Sequence, residues 1–192
     1  MKYKTLFLVL LYFSVASAQR FDILSGNLKN LKDISEYNIS FIYSNLKVHG
    51  FETEDAFLVE KMNKRNNVEG KAENFKKNWF DYREKKYEPK FIAYFNNRFE
   101  NGDVKVTRNS AAKYTMFIET TWVYPGYFAE PAKISAVFTF IETANPKNVL
   151  FSIAYEKSIG IEDRDFNVNL GDRIAGAYEK LAKNITMQLK RL

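Results

Sequence analysis

KYTMFIETTWVYPGYFAEPAKISAVFTFIETANPKNVLFSIAYEK, residues 113–157, decides the fold. Apolar and polar side chains alternate through Tyr114 to Tyr124, Ile134 to Thr143 and Val149 to Lys157, which is the period of a strand with one buried face. Short turns separate the three runs, Pro125-Gly126 in the first and Asn145-Pro146-Lys147 in the second. They therefore read as an antiparallel meander.

Within it FIET occurs twice, at Phe117 to Thr120 and at Phe140 to Thr143. In the first strand the even positions Tyr114, Met116, Ile118, Trp122 and Tyr124 make the better core face, so Glu119 points away from it. In the second strand Ile134, Ala136, Phe138 and Phe140 are the inward set, and Glu142 shares their parity. With the turn centred near Phe128, Glu119 falls opposite Val137 and Glu142 opposite Tyr114. The two carboxylates thus lie on opposite faces and about five residues apart, roughly 16 Å. A glycosidase pair needs about 5–10 Å. The repeat is strand chemistry and not a catalytic dyad.

Outward from the meander, Ile39, Phe41 and Tyr43 alternate as an earlier strand, preceded by an extended lead-in over Arg20 to Ser35. Thr53 caps a helix from Glu54 to about Arg65. A second helix from about Lys71 to Lys86 carries Ala72, Phe75, Trp79 and Tyr82 at steps of three and four, a stripe suited to packing on a sheet. Pro89 is expected to end it, with Phe91, Ala93 and Phe95 forming one face of a further strand. Asn101-Gly102-Asp103 is a turn. Asn169 caps a last helix, with Asp172 as its reciprocal acid and Leu170, Ile174, Tyr178, Leu181, Ile185, Leu189 and Leu192 as its apolar stripe. The expected fold is α+β: one domain over residues 19–192, with a largely antiparallel sheet of four or five strands against two or three helices.

MKYKTLFLVLLYFSVASAQ at the start has basic, apolar and small-residue regions in the order of a secretory leader, with cleavage expected after Ala18. Its apolar run is short for a bilayer span, although an uncleaved anchor is the other reading, and no later stretch is apolar enough to span. The expected location is therefore periplasmic or secreted, with no transmembrane segment in the mature chain. There is no cysteine, which excludes thiol nucleophiles, cysteine–zinc sites, redox motifs and a lipidated cysteine, and leaves stability to packing. Removing Lys2 and Lys4 with the leader lowers a formal charge of +6 to +4. The bases are densest from Lys61 to Lys86, interleaved with acids and rings. That pattern marks a solvated helix surface, and nucleic acid is not an expected partner of an exported chain.

Catalytic patterns are sparse. His49, the one histidine, lies in a turn-like KVHGF without a nucleophile motif. Ser44-x-x-Lys47 and Ser110-x-x-Lys113 lack companion motifs. Asp163, Asp165, Asn167 and Asn169 alternate like calcium ligands, but Val168 stands where the loop needs glycine and Ile174 where it needs glutamate. No cofactor or metal is expected.

The candidate site is the turn TWVYPGYFAEPAK, where Trp122, Tyr124, Tyr127 and Phe128 cluster in a segment that is ordinarily polar. These rings either cover the open end of the core or offer stacking platforms for a sugar or a partner.

The stretches YSNLKVHGFETEDAFLVEK, KYTMFIETTWVYPGYFAEPAKISAVFTFIETANPKNVLFSI and DRIAGAYEKLAKNI together resemble a group of short exported proteins of Bacteroidota, uncharacterised in function. The resemblance implies an envelope or secreted location and brings no active-site residue. The function expected is a non-enzymatic binding domain for an envelope protein or glycan. An exported carbohydrate hydrolase using carboxylates such as Glu119 or Glu130 is one alternative, and a structural self-associating subunit another; the oligomeric state stays open.

Overall fold

The computed structural model describes residues 20–99, 101–127, 130–160 and 169–192. The leader, Phe128 and the aspartates of the calcium-like loop lie outside the described residues. The strands are β1 (Phe21–Gly26), β2 (Glu36–Ile42), β3 (Lys47–Val48), β4 (Lys105–Thr107), β5 (Tyr114–Tyr124), β6 (Lys133–Glu142) and β7 (Asn145–Ile159). The helices are α1 (Glu54–Asn63), α2 (Lys71–Tyr82), α3 (Glu88–Asn97) and α4 (Leu170–Leu189).

All seven strands join one sheet in the order β1-β7-β6-β5-β2-β4, with β3 also alongside β5. The class is α+β, but the four or five strands expected become seven. The extended lead-in supplies the additional edge strand β1, antiparallel to β7. Only the β1-β7-β6-β5 portion is antiparallel; β2 and β3 run parallel to β5, and β4 parallel to β2. Parallel pairing needs a long crossover, and α1 to α3 provide it between β2 and β5.

Register in the meander is the one expected: Glu119 opposes Val137 and Glu142 opposes Tyr114. The β6–β7 connection is tighter than expected, because Glu142 already pairs with Asn145 and Pro146 lies in the exposed start of β7. One face packs under the helices. Met116, Ile118, Phe138, Phe140, Phe151, Ile153 and Tyr155 are buried there with Phe91, Tyr178, Leu181 and Ile185 from α3 and α4. On the other face Ser40, Phe117, Glu119, Val137, Thr139 and Ala154 remain partly exposed.

The segment after Pro89 is helix, not strand. Pro89 falls in the first turn of α3, where a missing N–H removes little, and the fixed φ suits a helix start. A π-turn over Arg83–Tyr87 joins α2 to α3 ahead of it, with the Glu88 N–H donating to the Arg83 carbonyl. Phe91, Phe95 and Phe99 then recur every four residues and are buried, while Ala93 is exposed. Asn96 ties α3 to β4 by exchanging hydrogen bonds with the Val106 backbone at 3.0 and 2.9 Å.

The caps match expectation with one difference. Thr53 accepts from the Ala56 N–H at 3.1 Å, and Asn169 from the Asp172 N–H at 3.1 Å. The Asp172 carboxylate, however, accepts from Lys86 Nζ at 2.6 Å, which binds the start of α4 to the π-turn. Among the described residues no helix is long and apolar enough to cross a membrane.

Candidate functional site

At the end of the sheet where β3 meets β5, two structures face each other: the α1/α2 hairpin and the turn that follows Tyr124. β3 is short because Gly50, at φ +79°, bends the chain away after two residues. Before that bend, the His49 N–H donates to the Val123 carbonyl at 2.8 Å and fixes the imidazole beside β5. Its ring meets Tyr124 edge-on at 5.2 Å and Trp122 at 5.7 Å.

On the hairpin side, Phe57 packs on Phe51 at 5.4 Å, on Trp79 at 4.7 Å and on Phe75 at 6.1 Å between centroids. Rings spaced this way attract edge to face or offset. The polar edge of Trp79 is satisfied by Glu54 Oε1 at 2.5 Å, and Arg83 donates to the same carboxylate. Arg65 lies over the Phe75 ring at 4.2 Å and donates to the Lys61 carbonyl at 2.7 Å. Lys61 Nζ stands 5.6 Å from the Phe57 centroid.

The opposing wall is Tyr124-Pro125-Gly126-Tyr127. Gly126 has φ +78°, and a Cβ there would come within 2.6 Å of the Glu130 carbonyl, so the turn requires glycine. Tyr127 and Glu130 exchange backbone hydrogen bonds across it at 3.1 and 2.8 Å. Arg173 of α4 donates from Nε to the Pro125 carbonyl at 3.3 Å.

Between these walls is a cavity of about 620 Å³, bordered by eight rings from His49, Phe51, Phe57, Phe75, Trp79, Tyr82, Tyr124 and Tyr127. That size lies within the ~300–1,000 Å³ usual for small-ligand sites. Lys61, Lys64, Arg65 and Arg173 also line it, and among the described residues no carboxylate does. Glu60 pairs with Lys64 at 2.5 Å and Lys61 at 3.6 Å from outside the lining. Glu130 accepts from Lys133 at 2.8 Å and from the Tyr124 hydroxyl at 2.6 Å. Those bonds, that of Lys133 first, hold its carboxyl below the ordinary range, and the bond to Glu130 pushes the Tyr124 hydroxyl up.

The four rings singled out in the sequence separate. Tyr124 is half-buried in the cavity wall, and Tyr127 is 78% exposed at the rim. Trp122 is half-buried outside the cavity, beside a shallow depression with Ser135 and Lys157 on the open sheet face. Neither Trp122 nor Tyr124 belongs to the core face as expected. β5 has a bulge between Thr120 and Trp122, so Thr120 opposes Ala136 and Trp122 opposes Ser135. The extra residue exchanges the faces and leaves Val123 buried.

The hairpin half of the site escaped the sequence reading, which placed Phe75 and Trp79 on a sheet-packing stripe and the Lys61–Arg65 bases on a solvated surface. The available signal was their coincidence, with three bases, Lys61, Lys64 and Arg65, within five residues at the end of α1 and a ring stripe on the next helix. The FIET glutamates remain apart: Glu119 accepts from Asn45 at 3.0 Å and Glu142 from Asn148 at 3.2 Å. Among the described residues no three His, Asp or Glu side chains group as a metal site.

No protein-family model matches the chain, and no curated protein matches it. Among solved structures, the chain is similar to the PelC dodecamer from Paraburkholderia phytofirmans at 14% identity, with a TM-score of 0.39 over 84% of this chain and 95% of that one. A single-substitution variant of the same PelC dodecamer gives 13% identity and a TM-score of 0.39 over 85% and 96%.

Proposed function

We propose that this chain is a non-enzymatic binding domain of the cell envelope and that it holds a saccharide in the cavity between the α1/α2 hairpin and the Tyr124–Tyr127 turn. The observation that carries this reading is a ligand-sized cavity walled by rings, with an exposed tyrosine at its mouth. Sugar rings present apolar C–H faces that stack on aromatic side chains, and a concave site of this size encloses a small ligand. Export rests on the leader-like start of the chain. The hydrolase alternative has no support from this lining, which offers no pair of carboxyl groups among the described residues.

A glycan array of envelope saccharides tests the reading. The protein is expected to retain at least one saccharide class, and Tyr127→Ala to lose it. Retention of none, or equal retention by Tyr127→Ala, overturns the assignment.

Self-association has one observation in its favour: Ile23 and Leu24 on edge strand β1 are 59% and 55% exposed. An apolar unpaired edge invites strand pairing with a second copy. Light scattering of the protein and of Ile23→Lys decides it. An assembly that Ile23→Lys dissociates supports pairing through β1, and a monomer in both removes this reading.

A further inference from the structure

We propose that the saccharide held in the cavity is acidic, with a ring carboxylate received by Arg65 while a neighbouring sugar ring stacks on Tyr127. This inference rests on the binding reading above and adds the ligand's charge and the residue that reads it.

The charge balance of the walls is the first ground. Four cationic side chains line the cavity and, among the described residues, no carboxylate does. Glu60, the acid paired with Lys61 and Lys64, is outside the lining and partly exposed. A ligand bringing negative charge would complement these walls.

The second ground is the orientation of Arg65. Its guanidinium lies over Phe75 with its carbon 4.2 Å from the ring centroid and is anchored by the hydrogen bond to the Lys61 carbonyl. A guanidinium fixed in this way presents its remaining N–H groups as a rigid fork, the geometry that meets two carboxylate oxygens at once. Lysines alone would attract an anion without orienting it. Arg173 enters from the α4 side and adds charge on the other wall.

Third, the apolar and charged surfaces are adjacent. Phe51, Phe57 and Trp79 line the same space as the cations, and Tyr127 stands exposed at the mouth. A ring-shaped ligand with a carboxyl substituent uses both surfaces. The concave shape and its volume suit an oligosaccharide better than a flat protein surface, whose recognition buries far larger areas.

Isothermal titration calorimetry with trigalacturonate and with the neutral tri-N-acetylglucosamine, each at low and raised salt, separates the two levels of the argument. Trigalacturonate is expected to bind on the order of tenfold tighter or more, as a charge-assisted pair implies, and to lose that advantage as salt rises. Arg65→Gln should remove the preference for trigalacturonate over the neutral trimer; Arg65→Lys, which keeps the charge but not the fork, should fall between. Because Arg65 also packs on Phe75, the salt dependence of the unmodified protein provides a readout independent of folding.

Equal binding of both trimers overturns the acidic assignment and leaves saccharide binding standing. No binding of either overturns both. Glucose 6-phosphate is the further arm: if it binds and trigalacturonate does not, the carboxylate assignment is wrong and the cations read phosphate.

Discussion

Residues 114–120 of β5 and residues 122–124 lie on one strand and obey opposite rules. In the first part Met116, Ile118 and Thr120 point inward and are buried. Thr120 meets the buried Tyr178 hydroxyl at 2.6 Å, which joins the sheet to α4. In the second part Val123 points inward, and the even-numbered rings Trp122 and Tyr124 turn outward toward His49. One inserted residue at Thr121 makes the difference. It converts a strand that builds core into one that frames a cavity, because side-chain parity is exact along a strand and a single bulge inverts it.

The largest expected effect tests that inversion. Val123→Asp should cost about 3–5 kcal/mol, the penalty of an unpaired buried charge, whereas Trp122→Ala should cost about 1 kcal/mol through its ring contacts. Urea denaturation of the two variants measures both, and a reversed order would mean that the bulge is misplaced. Thr53→Ala comes next, at about 1 kcal/mol, because α1 loses its N-cap and with it part of the hairpin wall.

Glu88 gives a smaller, pH-dependent effect behind the regular half. It is buried, accepts from Tyr43 at 3.2 Å and pairs with Arg108. Burial outweighs the attraction of Arg108 and the Tyr43 bond and raises its carboxyl above the ordinary value. A raised folded-state value means that the contribution to stability is fully present below the unfolded-state value and is lost as pH rises through the folded one. Glu88→Gln cannot ionise, so the unmodified protein should lose stability relative to the variant as pH rises above about 4, the unfolded-state value. Melting temperatures across that range check the sign, and a gap that moves the other way would place the ion pair above burial. Least of all, Tyr127→Ala should change stability by less than about 0.5 kcal/mol, since the ring is exposed. A larger loss in thermal unfolding would make Tyr127 structural.

What was legible in the sequence followed from periodicity. The meander, its register, the opposed FIET glutamates, α1 with its Thr53 cap, and α4 with its Asn169 cap and apolar stripe all depend on local spacing and local hydrogen bonds. Three features depend on longer-range information. The Thr121 bulge leaves no composition signal, because threonine suits a strand on either face. The segment after Pro89 has Phe91 and Phe95 at a separation that fits period two and period 3.6 alike, and the π-turn that lets the helix continue through the proline is a tertiary adjustment. β1 pairs with a strand more than a hundred residues away, so its polar spacing gave no hint of a partner.

Half of the candidate site was legible for the same reason. Tyr124 and Tyr127 drew attention as rings in a turn. Phe57, Phe75, Trp79 and Arg65 join them only once the α1/α2 hairpin is placed beside β3. An amphipathic stripe can pack against a sheet or border a cavity without any change in its spacing.

Amide chemical-shift mapping of the protein during titration with trigalacturonate tests the central claim most directly, since it asks which surface meets the ligand. The account predicts shifts at His49, Arg65, Trp79 and Tyr127, with Phe117 and Thr139 on the open sheet face unmoved. Shifts confined to that open face, or none anywhere, would contradict it.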